Sequence, residues 1–201
     1  TFSNIHHILS VGGDVYVTLG TPESTGPKLA SLNGLFNRPG LYEVPMGTSL
    51  SVIVDDLGNG FREPVKALHI GGPLGGLVPM DRVGELTFDF ESFKDAGFLL
   101  GHGSIIAIPS ALPMIEYLEH LFEFCAVESC GKCFPCRIGS TRGQEMMRAA
   151  IDKRKPINRE LLNDLLETME VGSLCAHGGG IPLPIKNALH YFADEMQEYF
   201  G

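Results

Sequence analysis

Apolar and polar residues follow two different patterns along the chain, and the change falls near residue 110. Before that point, short apolar runs alternate with Gly- and Pro-rich turns, which is typical of strands. The predicted strands cover residues 14–19, 28–33, 41–44, 65–70 and 104–108. One short helix interrupts them, because Leu50, Ile53, Val54 and Leu57 recur at helical spacing before Gly58. A hairpin, a helix and further strands predict a small α+β domain with a β-grasp layout.

Beyond residue 110 the apolar residues recur with the period of an α-helix. We predict four helices, each with an apolar stripe that a bundle core would bury. They begin near Leu112, near Cys136, after an N-cap at Asn158, and near Pro184. Gly172 ends the third helix and the fourth continues to Tyr199. This half of the chain is therefore predicted to be a four-helix bundle.

These patterns divide the chain into three predicted parts. Residues 1–25 form a connector, residues 26–110 the β-grasp domain and residues 111–201 the helical domain. A glycine-rich run at residues 71–76 lacks the G-x-G-x-x-G spacing of a nucleotide site, and no amphipathic helix follows it directly. We interpret this run as a tight structural turn and not as a phosphate cradle.

Four cysteines carry the candidate chemistry of the helical domain. Cys130, Cys133 and Cys136 are spaced three apart, and Cys175 follows 39 positions later. Glycine and proline between the first three break a helix, so the backbone can curl their sulfurs inward. In an up-down bundle the first and third turns lie at the same end, which brings Cys175 to the others. Four thiolates in this pattern predict one [4Fe–4S] cluster.

Other readings of the cysteines are less consistent with the sequence. A structural zinc site usually takes two separated C-x-x-C pairs, whereas the split here is three plus one. Disulfides would require an oxidising compartment and usually a smaller chain. In small bacterial ferredoxins a fourth cysteine follows closely, but Arg137-Ile138-Gly139 stands here instead. Cys125 lies on an apolar helical stripe and is predicted to be a buried free thiol.

Composition and charge narrow the function classes. Of 201 residues, 44% are hydrophobic, and the formal net charge is −9. An acidic balance argues against a nucleic-acid partner, whose binding site would be a basic patch. No apolar run approaches the roughly 20 residues of a bilayer-spanning helix, so direct membrane insertion is not expected. Reduced cysteines without a recognisable export signal lead us to expect a cytoplasmic location.

Three segments together resemble a known family. They are Glu128-Ser-Cys-Gly-Lys-Cys-Phe-Pro-Cys-Arg137, Gly139-Ser-Thr-Arg-Gly143 and Gly172-Ser-Leu-Cys175. These segments are similar to the flavin-carrying, NADH-oxidising subunit of respiratory complex I. They are still more similar to the beta subunit of NAD-dependent formate dehydrogenases and the diaphorase subunit of NAD-reducing hydrogenases. The segment 37–48 resembles the β-grasp module of this family, of the soluble-ligand-binding type.

This resemblance implies a function as an electron relay. In the family, NADH reduces FMN, and single electrons then pass through one [4Fe–4S] cluster to iron–sulfur centres in partner subunits. The implied ligands are Cys130, Cys133, Cys136 and Cys175, and the loop with His177 is expected to face the flavin. Thr1 is similar to the end of a flavin-contacting segment. The rest of that flavin and nucleotide region does not occur in these residues, so we expect a fragment of a larger NAD(H)-dependent oxidoreductase.

Two alternative functions stay open from the sequence. A zinc-stabilised docking module would have the same fold and differ in the metal, and a β-grasp ligand-binding protein would have a redox-inert cluster. The sequence assigns no catalytic residue and no flavin- or nucleotide-binding residue. It does not distinguish complex I from formate dehydrogenase or hydrogenase, or NAD from NADP, and it leaves the cluster potential undetermined.

Overall fold

The computed structural model describes residues 2–201 and has a mixed α/β architecture with one five-stranded sheet. Thr1, the expected end of a flavin-contacting segment, lies outside the described residues. The chain separates into two compact units. The first runs to Gly72 and resumes at Val78–Ala107; the second comprises Pro73–Leu77 and Ile108–Gly201.

The sheet contains strands β1 to β5 in the order β2-β1-β5-β3-β4. Their bounds are Pro27–Leu32, Gly40–Pro45, Val65–Ile70, Gly76–Pro79 and Ser104–Pro109. β1 and β2 form an antiparallel hairpin in which Leu32 pairs with Gly40. β5 lies on the other side of β1 and runs parallel to it, with Leu32 beside Ile105. Four of the five strands match predicted ones, and β4 was not predicted.

The segment predicted as a strand at residues 14–19 is not one. Helix α1 covers Phe2–Val11, before this segment, and the short helix α2 covers Gly13–Tyr16, within its first half. Gly12, with a φ of 93°, separates them. The backbone N–H of Val17 donates to Gly13 and that of Thr18 to Val15, which are local helical bonds. Alternating apolar side chains predicted a strand, but these amides have partners within their own turn.

The first unit has three further helical segments. The predicted helix is present, and Val52–Leu57 within it is π-helical; a 3-10 helix covers Met80–Glu85, and α3 covers Phe90–Asp95. The glycine-rich run is a turn, as predicted. Gly71 and Gly72 have φ values of 99° and 92°, and a Cβ on Gly71 would lie 2.6 Å from the Leu100 carbonyl oxygen. Only glycine fits this conformation without strain.

The second unit consists of helices around an apolar core. They are α4 (Met114–Val127), α5 (Phe134–Ile151), α6 (Arg159–Gly172), α7 (Ala176–Gly180), α8 (Pro182–Tyr191), α9 (Ala193–Met196) and a 3-10 turn (Gln197–Tyr199). α5 contacts both α4 and α6. The side chain of Asn158 accepts a bond from the Leu161 amide at 2.8 Å and caps α6, as predicted. The apolar stripes are buried, among them Ile115, Leu118, Phe122, Leu162, Leu166, Met169 and Ile185.

The predicted fourth helix differs from the observed one. It begins earlier, at α7, and is divided into short helices, with Phe192 (φ −117°, ψ 33°) leaving the helical conformation between α8 and α9. None of the helices in the described chain combines the length and apolar composition needed to cross a membrane.

Candidate metal centre

The first three cysteines lie where α5 begins. Cys133 is the N-cap residue of α5, in extended conformation, and Cys136 lies in the first helical turn. Pro135 occupies the start of the helix, where its missing N–H costs nothing. Gly131, with a φ of 74°, turns the chain between Cys130 and Cys133. The helix therefore starts inside the cysteine motif, as the sequence predicted.

The fourth cysteine begins another helix. Cys175 is the N-cap residue of α7, and it follows directly on the turn that ends α6. Cys175 and Cys130 are exposed, Cys133 is half-buried and Cys136 is buried. Cys133 and Cys175 therefore each stand at the start of a helix.

The two cysteine-bearing turns meet at Cys133. The pKa of the Cys133 thiol is lowered, first by the backbone N–H of Leu174 and then by that of Cys136. Leu174 immediately precedes Cys175, so a group from the second turn stabilises the thiolate of the first. This contact joins the turn that bears Cys130, Cys133 and Cys136 to the turn that precedes Cys175.

Cys125 has the opposite environment. It is buried, and burial raises the pKa of its thiol to about 12, with the nearby Cys136 adding to the effect. A thiol that stays protonated at neutral pH does not readily become a metal ligand. The structure therefore agrees with the prediction of a buried free thiol.

The two turns approach each other closely at Gly178. A Cβ on Gly178 would lie 2.4 Å from the Ser173 hydroxyl oxygen and 2.6 Å from the Cys136 Cβ, so no larger residue fits. The buried Ser173 hydroxyl lies beside the Cys133 sulfur but forms no hydrogen bond of normal geometry with any described residue. A glycine at the point of closest approach, an unpaired buried hydroxyl and four free thiols fit an iron–sulfur cluster.

The four cysteine side chains do not converge on one point. Across residues 2–201, no three His, Cys, Asp or Glu side chains have the arrangement of a metal site. The structure brings Cys133 and Cys136 against the turn that precedes Cys175. Cys130 and Cys175 are exposed.

Side chains next to the cysteines form contacts that the sequence did not predict. Ser129 Oγ lies 3.3 Å from Cys136 Sγ, and Arg137 reaches the Gly131 carbonyl at 3.4 Å while stacking on Phe134. His177, which the resemblance placed toward a flavin, directs its Nε2 to the Cys125 carbonyl at 3.1 Å. Each of these residues lies within two positions of a predicted ligand. Because a cluster needs hydrogen-bond donors close to its sulfurs, this proximity in the sequence could have identified them.

Comparison with known proteins matches this part of the chain to one family. Residues 116–199 match the family model of the NADH-ubiquinone oxidoreductase-F iron-sulfur binding region. All four predicted ligands lie within these residues.

Curated relatives extend the similarity to nearly the whole chain. The chain is 33% identical over 202 residues to NADP-reducing hydrogenase subunit HndC of Solidesulfovibrio fructosivorans, covering 99% of the chain and 41% of the relative. It is 32% identical over 201 residues to an NADH-quinone oxidoreductase subunit of Escherichia coli strain K12, covering 98% and 45%. The chain thus spans less than half the length of these relatives.

A solved structure has the same fold. The NAD+-reducing [NiFe]-hydrogenase in the H2-reduced state aligns with a TM-score of 0.85 and 27% identity, over 97% of this chain and 33% of that one. The mixed α/β architecture with a five-stranded sheet is therefore shared with a hydrogenase subunit.

Proposed function

We propose that residues 116–199, which match the NADH-ubiquinone oxidoreductase-F iron-sulfur binding region, bind a [4Fe–4S] cluster. Its proposed ligands are Cys130, Cys133, Cys136 and Cys175. The contact between the Cys133 sulfur and the Leu174 amide is the observation that carries this assignment. It joins the turn that holds three of the cysteines to the turn that holds the fourth.

A cluster bound here would supply one-electron transfer. The residues of the chain would hold and tune it. The backbone N–H groups of Leu174 and Cys136 lie at the Cys133 sulfur and favour its negative charge. Buried Cys136 and the close approach at Gly178 limit the access of water on one side. Exposed Cys130 and Cys175 leave the other side open to a redox partner.

We further propose that the complete protein is an NAD(H)-linked oxidoreductase subunit. In this proposal NADH reduces FMN in a part of the protein outside these residues, and the helical unit relays single electrons to iron–sulfur centres of partner subunits. The names of the relatives, an NADP-reducing hydrogenase subunit and an NADH-quinone oxidoreductase subunit, support this class of reaction.

The domain organisation that we propose is a β-grasp domain at residues 26–110 followed by a helical domain at residues 111–201 that is built as a bundle. The hairpin β1–β2 with β5 parallel to β1 supports the first assignment. The packing of α5 against α4 and α6 supports the second. Residues 1–25 would connect these domains to the part that binds flavin.

Metal analysis of the full-length protein, purified without oxygen, tests the cluster assignment. We expect about four iron and four acid-labile sulfide per chain. Stoichiometric zinc with no iron and no acid-labile sulfide would instead indicate a structural docking module and overturn the proposal.

A matched pair of variants tests the ligand set. Cys136→Ser removes a proposed ligand and is expected to lose most of the iron. Cys125→Ser changes the neighbouring buried thiol and is expected to keep it. Equal iron loss in both variants would contradict the assignment.

A further inference from the structure

Two serine hydroxyls, one from each cysteine-bearing turn, lie beside the sulfurs of Cys136 and Cys133. We propose that Ser129 and Ser173 donate hydrogen bonds to these two ligand sulfurs and thereby raise the reduction potential of the cluster. The inference rests on the proposed cluster and assigns both serines as tuning residues that act through the ligands.

The orientation of Ser129 follows from its two contacts. Its hydroxyl oxygen lies 3.3 Å from Cys136 Sγ and accepts a hydrogen bond from the Gly131 backbone N–H, also at 3.3 Å. Because the amide bond occupies a lone pair of the oxygen, the hydroxyl proton is left to point elsewhere. A metal-bound cysteine sulfur carries no proton and only accepts, so Ser129 is the donor in this pair.

Ser173 reaches the site from the opposite turn. Its hydroxyl oxygen is buried and forms no hydrogen bond of normal geometry within the described chain. Leaving a buried hydroxyl unpaired costs free energy, and this cost is removed when an anionic acceptor is adjacent. Gly178 lies close against the same oxygen and confines it beside Cys133 and Cys136. A thiolate ligand at Cys133 supplies the acceptor that Ser173 lacks.

The effect on the potential has a definite sign. Reduction adds one negative charge to the cluster and its ligands. A donor hydrogen bond stabilises the more negative state more than the less negative one, so it makes reduction easier. Removal of either hydroxyl is therefore expected to shift the midpoint potential to a more negative value.

Ser140 provides a matched control on the same helix. It is buried one turn after Cys136, but its hydroxyl donates to the Cys136 carbonyl oxygen at 2.7 Å and not to a sulfur. Ser140→Ala thus removes a buried hydroxyl near the same ligand without removing a donor to the cluster.

The experiment is a redox titration of the full-length protein, followed by the electron paramagnetic resonance signal of the reduced cluster. For Ser129→Ala and Ser173→Ala we expect an unchanged iron content. The equilibrium constant for reduction of the cluster should fall about threefold to tenfold, and a tenfold fall corresponds to about 59 mV for one electron. Ser140→Ala should titrate as the wild type, and Ser129→Thr, which keeps the hydroxyl, should restore the original value.

Each other outcome opposes the proposal. A wild-type potential in either alanine variant would reject the proposal for that serine. An equal shift in Ser140→Ala would show that the effect does not come from a hydrogen bond to a sulfur. Loss of iron in an alanine variant would assign that serine a structural role instead. Absence of iron from the wild type would reject the cluster itself, which separates that failure from failure of this inference.

Discussion

The imidazole Nε2 of His177 lies 3.1 Å from the backbone carbonyl oxygen of Cys125. Cys125 belongs to the last turn of α4, whose final carbonyls have no partner within the helix. His177 stands two residues after Cys175, in the first turn of α7. One side chain therefore satisfies the end of α4 and fixes the position of the helix that Cys175 begins.

His177→Ala is expected to loosen this connection. Loss of the hydrogen bond should lower the free energy of unfolding by about 1 kcal/mol. It should also reduce the iron content, because Cys175 is no longer held near the other ligands. Thermal unfolding and metal analysis of the full-length variant measure the two effects.

A second histidine gives the control for this prediction. His120 lies on α4 with its side chain 67% exposed and a 4.0 Å contact to Glu123. His120→Ala should leave melting temperature and iron content near those of the wild type. If the two variants behaved alike, His177 would have no special part in positioning α7.

Two adjacent glycines in α7 differ sharply in the room around them. A Cβ on Gly178 would lie 2.6 Å from the Cys136 Cβ, whereas a Cβ on Gly179 would lie 3.4 Å from the nearest atom, the Glu170 carbonyl oxygen. We expect Gly178→Ala to force α5 and α7 apart and to lose the cluster. Gly179→Ala should keep it. The iron and acid-labile sulfide contents of the two variants check this. A full cluster in Gly178→Ala would show that α5 and α7 can move apart without losing it.

Much of the architecture could be predicted from the pattern of apolar residues. The strand at residues 65–70 has the predicted bounds, and α6 has both its predicted cap, Asn158, and its predicted end, Gly172. In these places local preference and burial indicate the same structure. Where they disagree, as at residues 14–19, the alternating pattern gave the wrong element, because nearby amides found helical partners instead.

Prediction of the candidate site stopped at the cysteines. Their spacing predicted the proposed ligand set and the two turns, since a thiolate is a distinctive metal ligand. It did not indicate Ser129, Ser173 or Gly178. A serine or a glycine has many uses in a protein, and only the contacts across the two turns show which atoms lie beside a sulfur.

In the first unit, the carboxylate of Glu91 accepts hydrogen bonds from two hydroxyls, those of Ser24 and Thr21. These bonds, that of Ser24 first, hold the pKa of Glu91 below its ordinary value of 4.5. A carboxyl with a lowered folded-state pKa stabilises the protein above its unfolded pKa, and this contribution is lost as the pH falls through the folded value. Acid should therefore weaken the link between Glu91 and the segment at residues 21–24.

Glu91→Gln is expected to lower stability at neutral pH and to make unfolding less sensitive to acid below pH 4.5. Urea midpoints measured across this range test both statements. Asp95→Asn, an exposed carboxylate at the end of the same helix α3, is the control and should retain the acid dependence of the wild type. An unchanged acid dependence in Glu91→Gln would contradict the role given to the two hydroxyls.

The carboxylate of Glu119 on α4 is largely buried, with 8% of its side chain exposed. Its Oε1 accepts hydrogen bonds from Arg148 Nη2 at 2.7 Å and Nε at 3.1 Å, and from Gln144 Nε2 at 3.1 Å. Both donors belong to α5, so this group joins the two helices that flank the cysteine motif. Without the Arg148 guanidinium, only Gln144 of these donors would remain for the buried carboxylate. A buried charge that has lost its ion-pair partner is unfavourable.

Arg148→Ala should therefore lower the melting temperature. The double variant Arg148→Ala/Glu119→Gln should recover part of this loss, because a neutral amide is less costly to bury than an unpaired carboxylate. The control is Arg142→Ala, since Arg142 pairs with exposed Glu145 on the same helix and such surface pairs contribute little. Thermal unfolding of the four proteins gives the comparison. A double variant less stable than Arg148→Ala alone would mean that lost packing, and not the unpaired charge, dominates at this contact between α4 and α5.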